Sequence, residues 1–390
     1  MSTVITCVDD LRDLARKRVP RPFYDYIDSG SWSESTYRAN SDDLARLTFR
    51  QRVGTDVADI RLQTDILGQT AAMPVGLAPA GLAGMVHPDG EILAARAAAA
   101  FGVPYVLSTV SICSIEDLAR NLTEPFWFQL YIMKDRGFIE RLIDRARAAR
   151  CSALVLTLDL PIQGQRHKDI RNGLSVPPRI TLRGLSAMLA HPRWCAAMLR
   201  TPRRTFGNIV GHAQGVTDTL GFSEWVSRQF DRTVSWRDVQ WLKQQWGGKL
   251  VVKGIMDPDD ARQAVDAGAD AIIVSNHGGR QLDGAPSSVR ALPAVVNAVA
   301  GRAEVYVDGG IRSGQDVLRA LALGAQAAFI GRAYMYGLGA AGQPGVAKCL
   351  DILRRELEST MALCGLTDVR RASPDLLFDT HSKATKGDFI

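Results

Sequence analysis

The chain has 390 residues, 46% of them hydrophobic and 23% charged, with a formal net charge of +6. That composition excludes a disordered or fibrous chain and supplies core material for one large domain or two ordinary ones. The positive charge is local: Arg171–Thr217 holds seven arginines and no lysine, aspartate or glutamate, so this stretch carries +7 and the rest of the chain −1. Such a distribution argues against a general nucleic-acid-binding surface and for one local anionic partner.

The opening, MSTVITCVDDLRDL, has no apolar signal core, and no apolar run is long enough to span a membrane. The six cysteines (7, 113, 151, 195, 349, 364) form no CxxC pair. They read as reduced thiols of a cytoplasmic protein, with neither a disulfide frame nor a zinc site.

In chain order, VDDLRDLARKRVP reads as a helix and leads into RPFYDYIDSGSW and a polar stretch. A regular alternation of short apolar strands and alanine-rich helices follows. The predicted strands are MPVGLAP (73–79), PYVLST (104–109), FWFQLY (126–131), ALVLTLD (153–159), LVVKGI (250–255), AIIVSNH (271–277), EVYVDGG (304–310) and AAFIGR (327–332). Continuous apolar strands alternating with helices predict a parallel sheet covered by helices. Eight such units predict an α/β fold of the closed (β/α)8 TIM-barrel type, with an N-terminal helical segment. A doubly wound open sheet is the alternative, but its GxGxxG signature after the first strand is missing. The expected organisation is a single domain over 1–390, with the barrel at about 73–335 and a basic insert after strand four at about 165–245.

Function in such a barrel sits at the C-terminal strand ends. In SNHGGRQLDG (275–284), the glycines permit a sharp turn and close approach. His277 can take a proton near neutral pH, and Arg280 can grip a carboxylate with two hydrogen bonds. The segment therefore points to a site that holds an acid and removes a proton from it. DGGIRSG (308–314) places glycines before a helix, and IGR (330–332) adds amides and a second arginine. Amides at helix N-termini after strands seven and eight, with Arg312 and Arg332, predict a phosphate site.

These motifs, with WFQLY, KGI and FYDYIDSG, resemble those of the FMN-dependent L-2-hydroxy acid dehydrogenases and oxidases, over nearly the whole chain. STVSIC, FQLYIMKDRGF and NHGGRQLDGAPSSVRALPA are most similar to segments of the bacterial respiratory L-lactate dehydrogenases. The resemblance implies bound FMN, with the phosphate on Gly309, Gly310, Arg312, Gly331 and Arg332 and Asp308 on the ribityl chain. It implies Ser108, Gln129 and Thr157 on the flavin ring, Ser275 among the cofactor contacts, and Pro79, Ala80 and Gly81 along the N5 side. Lys253 is implied near N1, where a cation stabilises the negative charge of reduced flavin.

For the substrate, the resemblance implies Arg280 and Tyr26 on the carboxylate, His277 as base, and Asp159 stabilising the imidazolium. Tyr131 and Arg166 complete the implied pocket. Ala80 stands where many members carry threonine or valine, and Val110 replaces a tryptophan of the glycolate oxidases, which opens the pocket. Gly81 matches the dehydrogenases, where fast oxygen users tend to carry alanine.

About ninety residues separate strands four and five, far more than such a loop needs. Within them, RITLRGLSAMLAHPRWCAAMLRTPRR mixes arginines with Leu, Met and Trp, and Pro192 interrupts any helix midway. Arginines beside an apolar face suit an anionic membrane surface; an extended lid packed on the barrel is the alternative. The expected protein is an FMN-dependent L-lactate dehydrogenase that oxidises lactate to pyruvate, peripheral on the inner face of the cell membrane. It passes electrons to quinone or a cytochrome and forms homo-oligomers, tetramers or multiples of them. Alternatives are an oxygen-using 2-hydroxy acid oxidase, an (S)-mandelate dehydrogenase and, in another class, an FMN-dependent isomerase.

Overall fold

The computed structural model describes residues 4–174, 182–213, 229 and 231–378. Its centre is an eight-stranded parallel sheet: β1 (Val75–Leu77), β2 (Val106–Ser108), β3 (Trp127–Leu130), β4 (Ala153–Thr157), β5 (Lys249–Ile255), β6 (Ala271–Val274), β7 (Glu304–Asp308) and β8 (Ala327–Ile330). Every strand from β2 to β8 pairs with its successor, and β8 pairs with β1. A single parallel bridge, Leu77 to Tyr105, closes the ring.

All eight predicted strands form, but most end two or three residues earlier than the apolar runs suggest. Except in β5, which keeps Lys253 and Gly254 within the strand, the last residues of each run leave the ladder and enter the loops at the C-terminal mouth. Inside the barrel, Trp127, Tyr306 and Phe329 pack at centroid distances of 5.5–6.3 Å. Gly76 is required there, because a Cβ at that position would lie 2.4 Å from the Phe329 ring. The floor is closed by a small antiparallel hairpin, Thr64–Ile66 with Gln69–Ala71, which the sequence reading missed. Its Ile66 and Leu67 are buried in the same cluster as the barrel interior.

Three helices precede the barrel, Val8–Arg18, Arg21–Ile27 and Ser35–Arg46. The last fills the stretch read only as polar. Its Asn40 pairs reciprocally with Asn276 at 2.8 and 2.9 Å, which ties it to the loop after β6.

In the β4–β5 connection, Leu182–Leu189 and Pro192–Arg200 are helical, with the break at Pro192 that the sequence predicted. Trp194 stacks on Phe23 at 5.3 Å and donates to Met85 O at 3.0 Å, anchoring the second helix to the barrel. Leu185, Leu189 and Leu199 are 44%, 68% and 73% exposed. Arg203 is ion-paired to Asp89 and Asp117 at 3.0 and 2.9 Å, and Arg204 donates to Thr201 O and Leu199 O. These two arginines therefore serve the fold of the segment. Arg193 and Arg200 are exposed beside the leucines, whereas Arg179 lies outside the described residues. No helix among the described residues is long and apolar enough to cross a membrane.

Candidate active site

The C-terminal mouth holds a cavity of about 130 Å³. Sixteen residues singled out in the sequence meet there. On one side are Tyr26, Pro79, Ala80, Gly81, Ser108 and Val110. Across from them stand Tyr131, Lys253, His277 and Arg280, and the glycine-rich end brings Asp308, Gly309, Gly310, Arg312, Gly331 and Arg332.

His277 Nδ1 lies 2.7 Å from Asp159 Oδ1. The Nδ1–H donates to this carboxylate, which leaves Nε2 as the acceptor. His277 has a φ of +57°, a conformation uncommon for a non-glycine residue, and its N–H donates to Ser275 Oγ at 3.0 Å. Burial, helped by the nearby Lys253 and Arg280 charges, holds the His277 imidazole below its usual pKa of 6.5 despite Asp159. The ring is thus neutral at rest and can accept a proton. Burial raises the Asp159 pKa, but the hydrogen bond from His277 and the Lys253 charge outweigh it and keep the carboxyl ionised.

Lys253 ties the centre together. Its Nζ is 3.2 Å from Asp308, 3.9 Å from Asp159 and donates to Ser275 Oγ at 2.8 Å. Burial alone would neutralise it, but the two carboxylates hold its pKa above the usual lysine value. The backbone explains this placement: β5 carries a register irregularity between Lys253 and Ile255, with Gly254 at φ +103°. A Cβ on Gly254 would lie 2.7 Å from Asp159 Cβ, so glycine lets the two strand ends close up.

Arg280 lies over the Tyr26 ring, 4.6 Å from its centroid. Its Nη1 donates to Tyr26 O at 2.6 Å and Ser29 O at 3.2 Å. Those carbonyls use Nη1 alone, and Nε and Nη2 remain for a planar anion. Burial and the neighbouring Arg166 push the Arg280 pKa down to about 10, so it is still a cation at neutral pH.

Five expected contacts stand one layer back from the cavity. Asp159 faces His277 and Lys253 rather than the open space. Ser275 is fully buried and props Lys253 and the His277 backbone; it does not line the cavity. Arg166 is held by Asp169 at 2.5 Å and sits behind Tyr26, 5.8 Å from its ring centroid. The buried Asp169 carboxylate attracts it away from the open space. Gln129 and Thr157 are buried behind the near wall, with Gln129 Oε1 accepting from Ser108 Oγ at 3.1 Å.

The sequence reading missed two supports. Gln281 Nε2 donates to Asp159 O and Ile162 O, both at 3.0 Å, pinning the loop that carries Asp159. Arg332 donates to Ile27 O, Gly278 O and Ser29 O at 2.7–2.9 Å, locking the Tyr26 turn to the His277 turn. No local pattern signals either role, because the partners are distant in sequence.

Comparison with known proteins follows the same lines. Residues 15–379 match the model of the FMN-dependent dehydrogenase family. The chain belongs to that family. It is 46% identical over 376 residues to an L-lactate dehydrogenase of Xanthomonas euvesicatoria pv. vesicatoria, covering 96% of each chain. An L-lactate dehydrogenase of Alcaligenes faecalis is also 46% identical, over 96% of this chain and 99% of that one. Among solved structures, the monotopic membrane protein (S)-mandelate dehydrogenase superposes with a TM-score of 0.92 at 36% identity, covering 96% and 100% of the two chains. A mandelate oxidase with (S)-4-hydroxymandelic acid gives 0.82 at 37% identity, covering 96% and 98%.

The family's cofactor is FMN, and the site fits it. Gln129 Nε2, Thr157 Oγ1 and Asp308 Oδ1 are buried polar atoms with no protein partner; such groups are rare unless a ligand or water satisfies them. A Cβ on Gly331 would meet nothing within 4 Å, so the backbone there borders open space as a phosphate requires. Gly309 and Gly310 have φ of +96° and +85°, a local geometry that only glycine adopts at ease and that turns amides toward an anion.

Proposed function

We propose that the chain oxidises an L-2-hydroxy acid, L-lactate foremost, to the 2-oxo acid. The observation that carries this reading is the His277–Asp159 pair at 2.7 Å beside the Arg280–Tyr26 stack at 4.6 Å. A neutral base and a carboxylate clamp border one cavity, matching the two handles of a 2-hydroxy acid. Bound FMN supplies the hydride acceptor. Lys253 and the unpartnered polar atoms of Gln129 and Thr157 would hold its ring, and Gly309, Gly310, Arg312 and Gly331 its phosphate. Arg332, with two N–H groups beyond its carbonyl contacts, adds charge at the phosphate end. Ser108, Pro79, Ala80 and Gly81 would line the remaining ring edge and Asp308 the ribityl side.

Arg280 binds the acid carboxylate through Nε and Nη2, and Tyr26 hydrogen-bonds it. His277 Nε2 takes the hydroxyl proton while Tyr131 orients the substrate oxygen. Asp159 offsets the charge that develops on the imidazolium, and Arg166 holds Tyr26 in place. The L-lactate dehydrogenases at 46% identity favour lactate. Val110 in the cavity wall leaves room for a larger side chain, which favours (S)-mandelate as a second substrate.

The exposed Leu185, Leu189 and Leu199 beside Arg193 and Arg200 support peripheral attachment to an anionic membrane on its inner face. Quinone or a cytochrome then receives the electrons. A homo-oligomer, a tetramer or a multiple, accords with the family resemblance, and light scattering tests it. Anaerobic addition of L- and D-2-hydroxy acids to the yellow protein tests the reaction. L-lactate is expected to bleach the flavin and D-lactate to leave it oxidised; no bleaching by any L-acid contradicts the reading.

A further inference from the structure

The motif FYDYIDSG contains a carboxylate with no role so far, Asp28. It caps the helix Arg21–Ile27 and is 8% exposed. Its Oδ2 accepts from Arg12 Nη2 at 2.9 Å and Tyr24 OH at 3.2 Å. Its Oδ1 accepts from Tyr336 OH at 2.6 Å and Tyr37 OH at 3.2 Å. The three N-terminal helices and the helix Arg332–Ala341 after β8 therefore meet at this one side chain. Four donors fill the acceptor sites of a carboxylate, so Asp28 has none left for a ligand. Burial works against its charge, but the bonds from Arg12 and Tyr336 hold its carboxyl below the usual value of 3.8. It is an anion at neutral pH.

Two of the four donors lead to the glycine-rich end of the cavity. The guanidinium of Arg332 lies over the Tyr37 ring, 4.5 Å from its centroid, and that of Arg312 lies 5.8 Å from the centroid of Tyr336. Both arginines bond backbone carbonyls, Arg312 that of Ile311 and Arg332 those of Ile27, Ser29 and Gly278. Among the described residues neither side chain has a carboxylate partner. A carboxylate placed directly on them would compete with an anion for their N–H groups. A ring against the face of a guanidinium fixes its plane and leaves its edge free. Asp28 also stands between Ile27 and Ser29, so it steadies the two carbonyls that aim Arg332. Tyr336 lies one turn into the helix Arg332–Ala341, and its bond to Asp28 sets the end of that helix which carries Arg332.

We propose that Asp28 is a positioning residue for the cofactor phosphate. It holds Tyr37 and Tyr336 by their hydroxyls, and their rings orient Arg332 and Arg312 without neutralising them. The proposal rests on the reading above that these arginines face the FMN phosphate. Its effect is confined to that end, because the four donors on Asp28 include none of Lys253, Gln129 and Thr157, which are assigned to the flavin ring. Riboflavin, which has the same ring and no phosphate, is then insensitive to Asp28.

Competition between the two flavins tests this. Holoenzyme is equilibrated with mixtures of FMN and riboflavin, and the bound flavins are released, separated and quantified. Their ratio reads the preference for the phosphate. A general loosening of the fold or of the ring pocket weakens both flavins and cancels. Asp28→Asn keeps the size of the side chain but turns an N–H toward donors. It is expected to lower the preference for FMN about 10- to 100-fold, the contribution of one charged hydrogen bond that is no longer aligned. An unchanged preference overturns the proposal, since Asp28 then serves the fold alone. A raised preference overturns it as well, because loss of a nearby negative charge would then outweigh any loss of orientation. Tyr37→Phe keeps both the ring and the carboxylate and removes one hydroxyl bond. It is expected to lower the preference about 3- to 10-fold, and it decides the matter if Asp28→Asn does not fold; no change in a folded Tyr37→Phe protein overturns the relay. Arg312→Gln and Arg332→Gln, made separately, test the underlying reading. If neither lowers the preference, the phosphate lies elsewhere, and the proposal falls with that reading whatever Asp28→Asn shows.

Discussion

The strand-end cluster around Lys253 and the arginine-bearing helices of the β4–β5 connection are both rich in charge, yet they use it in opposite ways. Around Lys253 the charges are buried and mutually held, with Asp308, Asp159 and His277 within 3.9 Å of a neighbour. In the connection, Arg193 and Arg200 stand in solvent beside exposed leucines, while Arg203 is folded inward onto Asp89 and Asp117. Burial, rather than the number of charges, decides which residues can be changed without touching the chemistry. Substitutions in the first region are expected to affect stability and turnover together. Substitutions of the exposed residues in the second are expected to affect location alone.

The sharpest break in that contrast is Lys253→Met. It leaves Asp308 and Asp159 buried without their cation, a change that costs about 3–5 kcal/mol. Thermal unfolding and flavin content are expected to fall together; a protein of wild-type stability that retains its flavin would show that the lysine does not hold the cluster. Next in size is the triple change Arg193→Gln, Arg200→Gln, Leu199→Gln. Each basic residue at an anionic surface contributes roughly 1 kcal/mol, so vesicle co-sedimentation is expected to weaken by about 2–3 kcal/mol in a salt-sensitive way. Turnover with a soluble dye is expected to hold, and a matching loss of dye turnover would erase the distinction between the regions.

Smaller again is Arg280→Lys, which keeps the charge but loses the planar fork. We expect kcat/KM for L-lactate to drop by about 1–3 kcal/mol in transition-state terms. Steady-state kinetics with an unchanged KM and kcat would remove Arg280 from the carboxylate. The pH profile sharpens the same point. The base must be neutral to act, and burial lowers its pKa below 6.5. The rate of flavin reduction is therefore expected to be level near pH 7 and to fall about tenfold per unit only once pH drops below the lowered pKa. A decline already under way above pH 7 would contradict a depressed His277. The smallest effect is expected from Gly81→Ala. Its Cβ would meet Val110 Cγ2 at 2.9 Å and the Tyr26 hydroxyl at 3.0 Å. A few-fold weaker hold on the acid should accompany faster reoxidation of the flavin by oxygen, since small steric shifts cost about 1 kcal/mol. Equal reoxidation rates would make Gly81 a turn residue only.

Much of this was legible in the sequence because barrel strands are unbroken apolar runs and their ends carry unlike residues. His277, Arg280 and the glycines of DGGIRSG declare their chemistry locally. What stayed hidden depends on contacts far along the chain. Ser275 looks like a cofactor contact but turns under Lys253, and Arg166 turns to Asp169. The floor hairpin is three residues a side, too short and too polar to stand out. The helix Ser35–Arg46 buries Thr36 and Asn40 with a single leucine, so no apolar stripe marks it. Likewise, the inward turn of Arg203 could not be read from its position among seven arginines.

The central claim is that His277, held by Asp159, removes the hydroxyl proton of an acid gripped by Arg280. The most direct test is single-turnover bleaching of the His277→Gln holoenzyme by L-lactate under anaerobic conditions. A general base contributes about 10²–10⁴-fold, so bleaching is expected to slow by at least that factor while flavin content and acid binding persist. Bleaching at the wild-type rate would contradict the account.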